Sequence, residues 1–385
     1  MIKQVLTKIH LWLGLASGLI VLLLSVTGCM YVFSKEITDW RRAGAIHVNE
    51  QPGGQLPLSR LQEQAQQALG GDYPISWTNV YNRPDKSMVF YAYAGNPGGL
   101  TYFSTVTYYK SVYVDPYTGN VKAIYDEKAD FFSIVKMLHW SLLLKTEIGQ
   151  PIVGWSTLIF VVLLITGLVL WWPKSFKSAG NLFRIRWKKS TKSYRKMYDL
   201  HNILGFYSLF FALIIALTGM VWAFKWFQAL VYVAAAGTTT PPAMPHVQSV
   251  PAPVAVVAPV DRALEQTRRL FPDAAGFRVS VPADSTGTIA LYIQHKAGLY
   301  YKTSQLQFDQ YSGDLLDKRA YRDKNAGEKL IAANYDIHVG AIGGIPGKIL
   351  AFVISLVCAT LPVTGFLMWW KRTRKKKRKR VLPVP

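Results

Sequence analysis

The stretch HLWLGLASGLIVLLLSVTG, residues 10–28, recurs as HNILGFYSLFFALIIALTG, residues 201–219. His10, Gly14, Ser17, Thr27 and Gly28 return at identical intervals as His201, Gly205, Ser208, Thr218 and Gly219. Both stretches are uncharged and apolar, as a crossing of a ~30 Å hydrocarbon core by about 20 residues requires. Two further apolar stretches share a second set: Gly149, Thr166, Gly167, Trp171 and Trp172 match Gly347, Thr364, Gly365, Trp369 and Trp370 without a gap. His139 and His338 stand ten and nine residues ahead of those glycines. Four transmembrane helices are therefore expected, at residues 11–33, 152–172, 203–227 and 349–370. Lys225 is the only internal charge, near an end where a lysine can snorkel.

The chain has 385 residues and a net charge of +22. Such an excess in a soluble protein would suggest nucleic acid, but its distribution excludes that partner. Lys3, Lys8, nine basic residues in 174–196 and nine in 371–380 carry it, with Asp199 the one acid nearby; 24 basic and 21 acidic residues remain elsewhere. Four spans put these three basic segments on one side, and the positive-inside rule makes that side, with both termini, cytoplasmic. The basic tail then orients the last helix and meets anionic lipid of the bilayer. Both cysteines, Cys29 and Cys358, fall within spans, so neither soluble segment holds an internal disulfide. No Cys-x-x-Cys-His occurs, which excludes covalent c-type haem. The run VTGC at 26–29 resembles a lipoprotein cleavage box, but Thr-Gly recurs in all four spans and favours an uncleaved first helix.

The soluble segments repeat as well. VYVDPYTG (112–119) parallels LQFDQYSG (306–313): an alternating strand, then an Asp-x-x-Ser/Thr-Gly turn whose glycine supplies a positive φ. Helices are expected at 58–69 and 260–270, and further strands at 75–81, 88–93, 102–109, 289–295 and 300–306. The organisation is a tandem internal duplication of helix, small extracytoplasmic α+β domain, helix. Its segments are a first transmembrane helix (1–34), a first soluble domain (35–130) and an interfacial helix with the second span (131–173). A basic loop (174–200), the third span (201–233) and an Ala/Pro/Val/Thr-rich linker (234–259) follow. The second soluble domain (260–336), the fourth span (337–370) and a basic tail (371–385) complete the chain.

This topology puts His10 and His201 at the cytoplasmic face, and His139 and His338 at the outer face. Two neutral imidazoles facing one another are what a six-coordinate b-type haem asks of a protein. Gly14 and Gly205 lie four residues beyond their histidines, and Ser17 and Ser208 seven, on the same helical face. That strip of small residues leaves room for a flat macrocycle, with Trp12, Trp140 and the paired tryptophans as possible aromatic walls. A single histidine at a helix end is ordinarily an interfacial polar group, and Gly-x-x-x-small patterns ordinarily serve helix packing. Four histidines at matched positions, two per face, point instead to two noncovalent bis-His b haems. The Trp171-Trp172 and Trp369-Trp370 pairs, beside Lys174 and Lys371, are explained as interfacial anchors. His47, His246 and His295 lack matched partners and read as ordinary surface residues. Lys145, Glu147 and Pro151 cut the apolar run 131–144 off from the second span, so His139 belongs to a separate interfacial helix.

The expected function is transmembrane electron transfer to an external acceptor. No Gly-x-Gly-x-x-Gly follows a strand, so quinol or a separate cytoplasmic reductase must be the donor. The competing class is a non-enzymatic membrane-anchored scaffold or regulator of a protease or transporter, with structural histidines. A metal transporter is disfavoured by the absence of acidic residues within the spans.

The Asp-Pro-x-Thr-Gly turn at 115–119, the His-x-x-x-Gly helix starts and the Thr-Gly-x-x-x-Trp-Trp helix ends resemble the PepSY-associated transmembrane family. The resemblance covers nearly the whole chain; Gln310 stands where the first repeat has Pro116. The family includes inner-membrane reductases that release iron from siderophores. It implies a bacterial inner-membrane location, two PepSY-like extracytoplasmic domains and a ferric siderophore as acceptor. Reducing hard Fe(III) to softer Fe(II) weakens oxygen-donor chelation and frees the metal.

Overall fold

The computed structural model describes residues 1–173, 183–243, 245–252 and 257–381. Part of the basic loop (174–182), part of the linker (244 and 253–256) and the last residues of the tail lie outside them. Among the described residues, four helices are long and apolar enough to cross a membrane: Ile2–Val32, Thr146–Trp171, Ser193–Ala223 and Ala341–Arg374. The chain divides into a helical unit (residues 1–33, 135–228 and 337–385) and a sheet unit (34–134 and 229–336).

The principal helices, in chain order, are α1 (Ile2–Val32), α2 (Leu58–Leu69), α3 (Phe131–Ser141), α4 (Thr146–Trp171), α5 (Gly205–Ala223), α6 (Lys225–Ala236), α7 (Pro259–Leu270), α8 (Ala326–His338) and α9 (Gly344–Val381). In the helical unit α1 packs on α4 and α9, and α5 packs on the same two, so α1 and α5 stand diagonally across a four-helix ring. The interior is built from Leu164, Ala212, Ile354 and Cys358, followed by Val161, Ala216 and Met220. Trp12, Leu19, Ile165, Phe210, Val353 and Leu356 are exposed around it. An apolar exterior on helices that satisfy their own backbone groups is the surface lipid requires. Buried hydroxyls inside the spans bond back to their own helix, as Ser17 does to the Leu13 carbonyl at 2.9 Å.

The third span departs from its expected limits. Helix α5 stops at Ala223 because Phe224 is extended (φ −129°, ψ 113°), and Lys225 opens α6 instead of closing the span. No glycine or proline marks this break, so hydropathy runs straight through it.

The sheet unit contains one antiparallel sheet of eight strands: β1 (Ile75–Tyr81), β2 (Met88–Gly95), β3 (Val106–Val114), β4 (Val121–Asp126), β5 (Gly276–Ser280), β6 (Thr288–Gln294), β7 (Thr303–Asp309) and β8 (Leu315–Arg319). Their spatial order is β4-β3-β2-β1-β5-β6-β7-β8. Each soluble segment, expected to be a small domain by itself, thus supplies four strands to a shared sheet. The seam pairs Trp77 with Ser280, Val80 with Phe277 and Tyr81 with Gly276. Left apart, β1 and β5 would be open edges with unpaired N–H and C=O groups; pairing them removes both.

Helices α2 and α7 lay Leu58, Leu61, Ala65, Ala263 and Leu264 on one face of the sheet, against Phe90, Val112, Leu291, Leu306 and Phe308. The Ser59 amide donates to Asp261 at 2.9 Å, tying the two helices together. Both expected turns form, with Gly119 at φ 74° and Gly313 at φ 71°. Gln310, in the place of Pro116, donates its side-chain amide to the Asp284 and Gly287 carbonyls at 2.8 Å, bracing the neighbouring loop. The expected strand at 102–109 instead begins with a helical turn, Tyr102–Thr105, and merges with 112–114 into β3.

Candidate functional site

Two histidine pairs occupy opposite ends of the helical unit. His10, on α1, faces His201, which sits in a π-helical turn (Leu200–Leu204) leading into α5. Their ring centroids are 6.3 Å apart and their planes 85° from parallel. His139, near the end of α3, faces His338, the last residue of α8, with centroids 6.1 Å apart and an interplanar angle of 71°. Along α1, 18 residues lead from His10 to Gly28, which borders His139. At 1.5 Å per residue the pairs are roughly 27 Å apart, close to the thickness of a hydrocarbon core.

All four imidazoles are held in the same way. Nδ1 of His10 lies 2.9 Å from Thr166 Oγ1, that of His139 2.9 Å from Thr27, and that of His338 2.9 Å from Thr218. His201 Nδ1 meets Thr364 at 2.9 Å and the Leu361 carbonyl at 3.1 Å. Among the described residues, nothing hydrogen-bonds the four Nε2 atoms. The glycine after each threonine borders the same ring. A Cβ there would lie 3.3 Å from His10 Cε1 at Gly167 and 3.4 Å from His201 Cε1 at Gly365. At Gly28 and Gly219 it would lie 3.6 Å from Cε1 of His139 and His338. The Thr-Gly repeat is legible in the sequence, but its contact with the histidines is not, because each threonine serves a histidine from a different segment.

Gly14 and Gly205 each face a leucine of the adjacent span: an added Cβ would lie 3.8 Å from Leu163 and 3.6 Å from Leu361. Ser17 and Ser208 are buried, with hydroxyls bonded to backbone of their own helices. Trp12 points outward and walls neither pair, whereas Trp222, which no sequence motif marks, stands 5.2 Å from His338 and 6.1 Å from Trp140. Trp171 is buried and stacks on Phe206 at 4.0 Å, so it packs the bundle as Trp172 stays exposed.

The remaining histidines stand elsewhere. His47 pairs with exposed Asp85 at 3.5 Å, and His246 lies 3.4 Å from Gln248. His295 bonds Ser304 at 2.7 Å, and its burial, with Lys324 and Lys302 nearby, holds it below the usual histidine range.

Two glycines fix the approaches to His139 and His338. A Cβ on Gly149 would fall 1.8 Å from the Ser141 carbonyl oxygen, and one on Gly347 2.2 Å from that of Gly340. The chain reverses between helices there, through Leu142 and Leu143 (both φ 58°) after His139 and through Gly340 (φ 74°) after His338. Left-handed backbone costs a leucine roughly 1–2 kcal/mol, and glycine avoids that cost.

Among the described residues, no group of three or more His, Cys, Asp or Glu could hold a bare metal ion. A family model described as the PepSY-associated TM region matches residues 7–372. No curated protein matches the chain.

Proposed function

The chain belongs to the PepSY-associated transmembrane family, and on that premise we propose that it is a di-haem b electron conduit reducing an acceptor outside the cell. The observation that carries this reading is the repetition of one arrangement at both ends of the bundle: two facing imidazoles, Nδ1 engaged and Nε2 free. Two ligands per site are too few for a bare ion but suit an iron already held by four macrocycle nitrogens. A metal–imidazole bond is about 2 Å and the ring centroid lies roughly 1 Å further, so two axial imidazoles have centroids roughly 6 Å apart. The observed spacings fit. Edge-to-face aromatic contact alone also allows such a spacing, so the fourfold match in hydrogen bonding carries more weight than the distance.

A bound haem supplies a one-electron Fe(III)/Fe(II) couple. The chain's own residues do the rest. His10 and His201 offer Nε2 lone pairs at the end of the bundle near the amino terminus, and His139 and His338 at the other. Apolar side chains between them keep water away. The basic bias makes the first end cytoplasmic, where quinol or a separate reductase delivers electrons in a bacterial inner membrane. The acceptor we favour is a ferric siderophore, whose oxygen donors lose their grip when the iron is reduced. The mirror-ordered sheet and the matched histidine sites support a tandem duplication, with one PepSY-like half of the sheet from each repeat.

Pyridine haemochrome assay of the purified protein is expected to give two haems per chain. One would leave His10 with His201 as the only site, and none would return the chain to the scaffold class. A carboxy-terminal reporter is expected to be active only when it works in the cytoplasm; activity restricted to the outside would overturn the orientation.

A further inference from the structure

A threonine hydroxyl has one proton, and in every span it is committed to the helix's own carbonyls. Thr27 donates to Leu23 at 2.8 Å, Thr166 to Val162 at 2.8 Å, Thr218 to Ile214 at 2.9 Å and Thr364 to Thr360 at 2.8 Å. Only oxygen lone pairs remain for the histidine, so the imidazole must be the donor through Nδ1–H. His201 reaches the same answer separately, since the Leu361 carbonyl it also meets can only accept.

We infer that Thr27, Thr166, Thr218 and Thr364 are positioning residues that lock His139, His10, His338 and His201 as the Nδ1–H tautomer, turning each Nε2 lone pair toward the facing ring. The adjacent glycines keep the space beside Cε1 open, so each Thr-Gly pair sets both proton and ring position. No span holds its own histidine. Helix α1 serves α3, α4 serves α1, α5 serves α8 and α9 serves the turn before α5, which makes the four locks a property of the assembled bundle. The purpose of the locks rests on the haem reading: a metal-bound histidine gains basicity and a fixed orientation by donating its other N–H. Their existence does not.

The test uses the full-length chain, labelled with 15N-histidine in lipid bilayers, with and without added haemin. Nitrogen chemical shifts distinguish protonated Nδ1 from protonated Nε2. In the wild type, His10 is expected to be protonated at Nδ1. Thr166→Val keeps the size and branching but removes the acceptor, and should move His10 toward the Nε2–H form; Thr166→Ser should restore the wild-type state. With haemin, the valine variant should lose roughly 10–100-fold in affinity at that site, as is typical when a partner of a metal-bound histidine is removed. An unchanged tautomer in Thr166→Val, or a wild-type His10 already protonated at Nε2, overturns the inference even if haemin binds. A tautomer that responds in a protein taking up no haemin sinks the haem reading and leaves the threonine role standing.

Discussion

His201→Ala is expected to halve the haem content, from two per chain to one, and to abolish reduction driven from the cytoplasmic side. A noncovalent haem is retained by its axial ligands and the packing around it, and alanine removes one of the two ligands on which that site depends. The His139/His338 site shares no side chain with it, so its haem should remain, and chemically reduced protein should still pass electrons to an external acceptor. His338→Ala should do the converse: the haem near His10 would still reduce from inside, but the acceptor would not. Haem stoichiometry and donor- and acceptor-specific reduction rates, measured on both variants, check this. A general folding defect would empty both sites in both variants. If each folded variant loses both haems, the sites are not separate and the pairing fails. If both keep two, the ligands lie elsewhere, and His47, His246 and His295 become the candidates.

Gly149→Ala should be nearly as damaging, although it adds one methyl group. The new Cβ would overlap the backbone oxygen of Ser141, and backbone cannot swing aside as a side chain can. The joint between α3 and α4 must open, carrying His139, two residues from Ser141, away from His338. A cost on the order of 3 kcal/mol or more in stability is expected, with loss of the haem at that end and retention of the one at His10. Gly347→Ala should act alike through Gly340 and His338. Gly343→Ala is the control, because it stands at the joint before the last span and nothing lies within 4 Å of its added methyl. Thermal unfolding and haem content measured together decide the matter. A Gly149→Ala protein with both haems and the wild-type midpoint would show that the close approach is not needed.

Four apolar spans were legible because the repeat supplies an internal comparison, and the same comparison aligns His10 with His201, whose rings lie 6.3 Å apart. The separate helix carrying His139 was legible from Lys145, Glu147 and Pro151. What a linear reading misses is contact between repeats. Thr166 is recognisable as half of a motif, but only packing brings it to His10. Strand β5 (Gly276–Ser280) leaves little trace in the sequence because five residues with Arg278 in the middle give little alternation, and the partner that stabilises it lies in the other soluble segment. Strands β4 and β8 are the outer edges of the sheet and keep much of their surface in solvent, so their apolar signal is weak. Trp222 gave no signal because interior aromatics are common in apolar helices.

The β1–β5 seam also dictates an order of events during biosynthesis. Trp77 must wait for Ser280, some two hundred residues downstream, and two membrane helices have to be inserted in between. Until then the first four strands carry β1 as an unsatisfied edge, a template for any extended chain nearby. Closing so long a loop adds only logarithmically to the entropic cost, but it slows pairing, since non-local strands must find each other late. A chain cut in the basic loop would therefore yield two fragments with complementary open edges. Expressed together they could rejoin along that seam, and expressed alone each would be driven to aggregate or pair with a copy of itself.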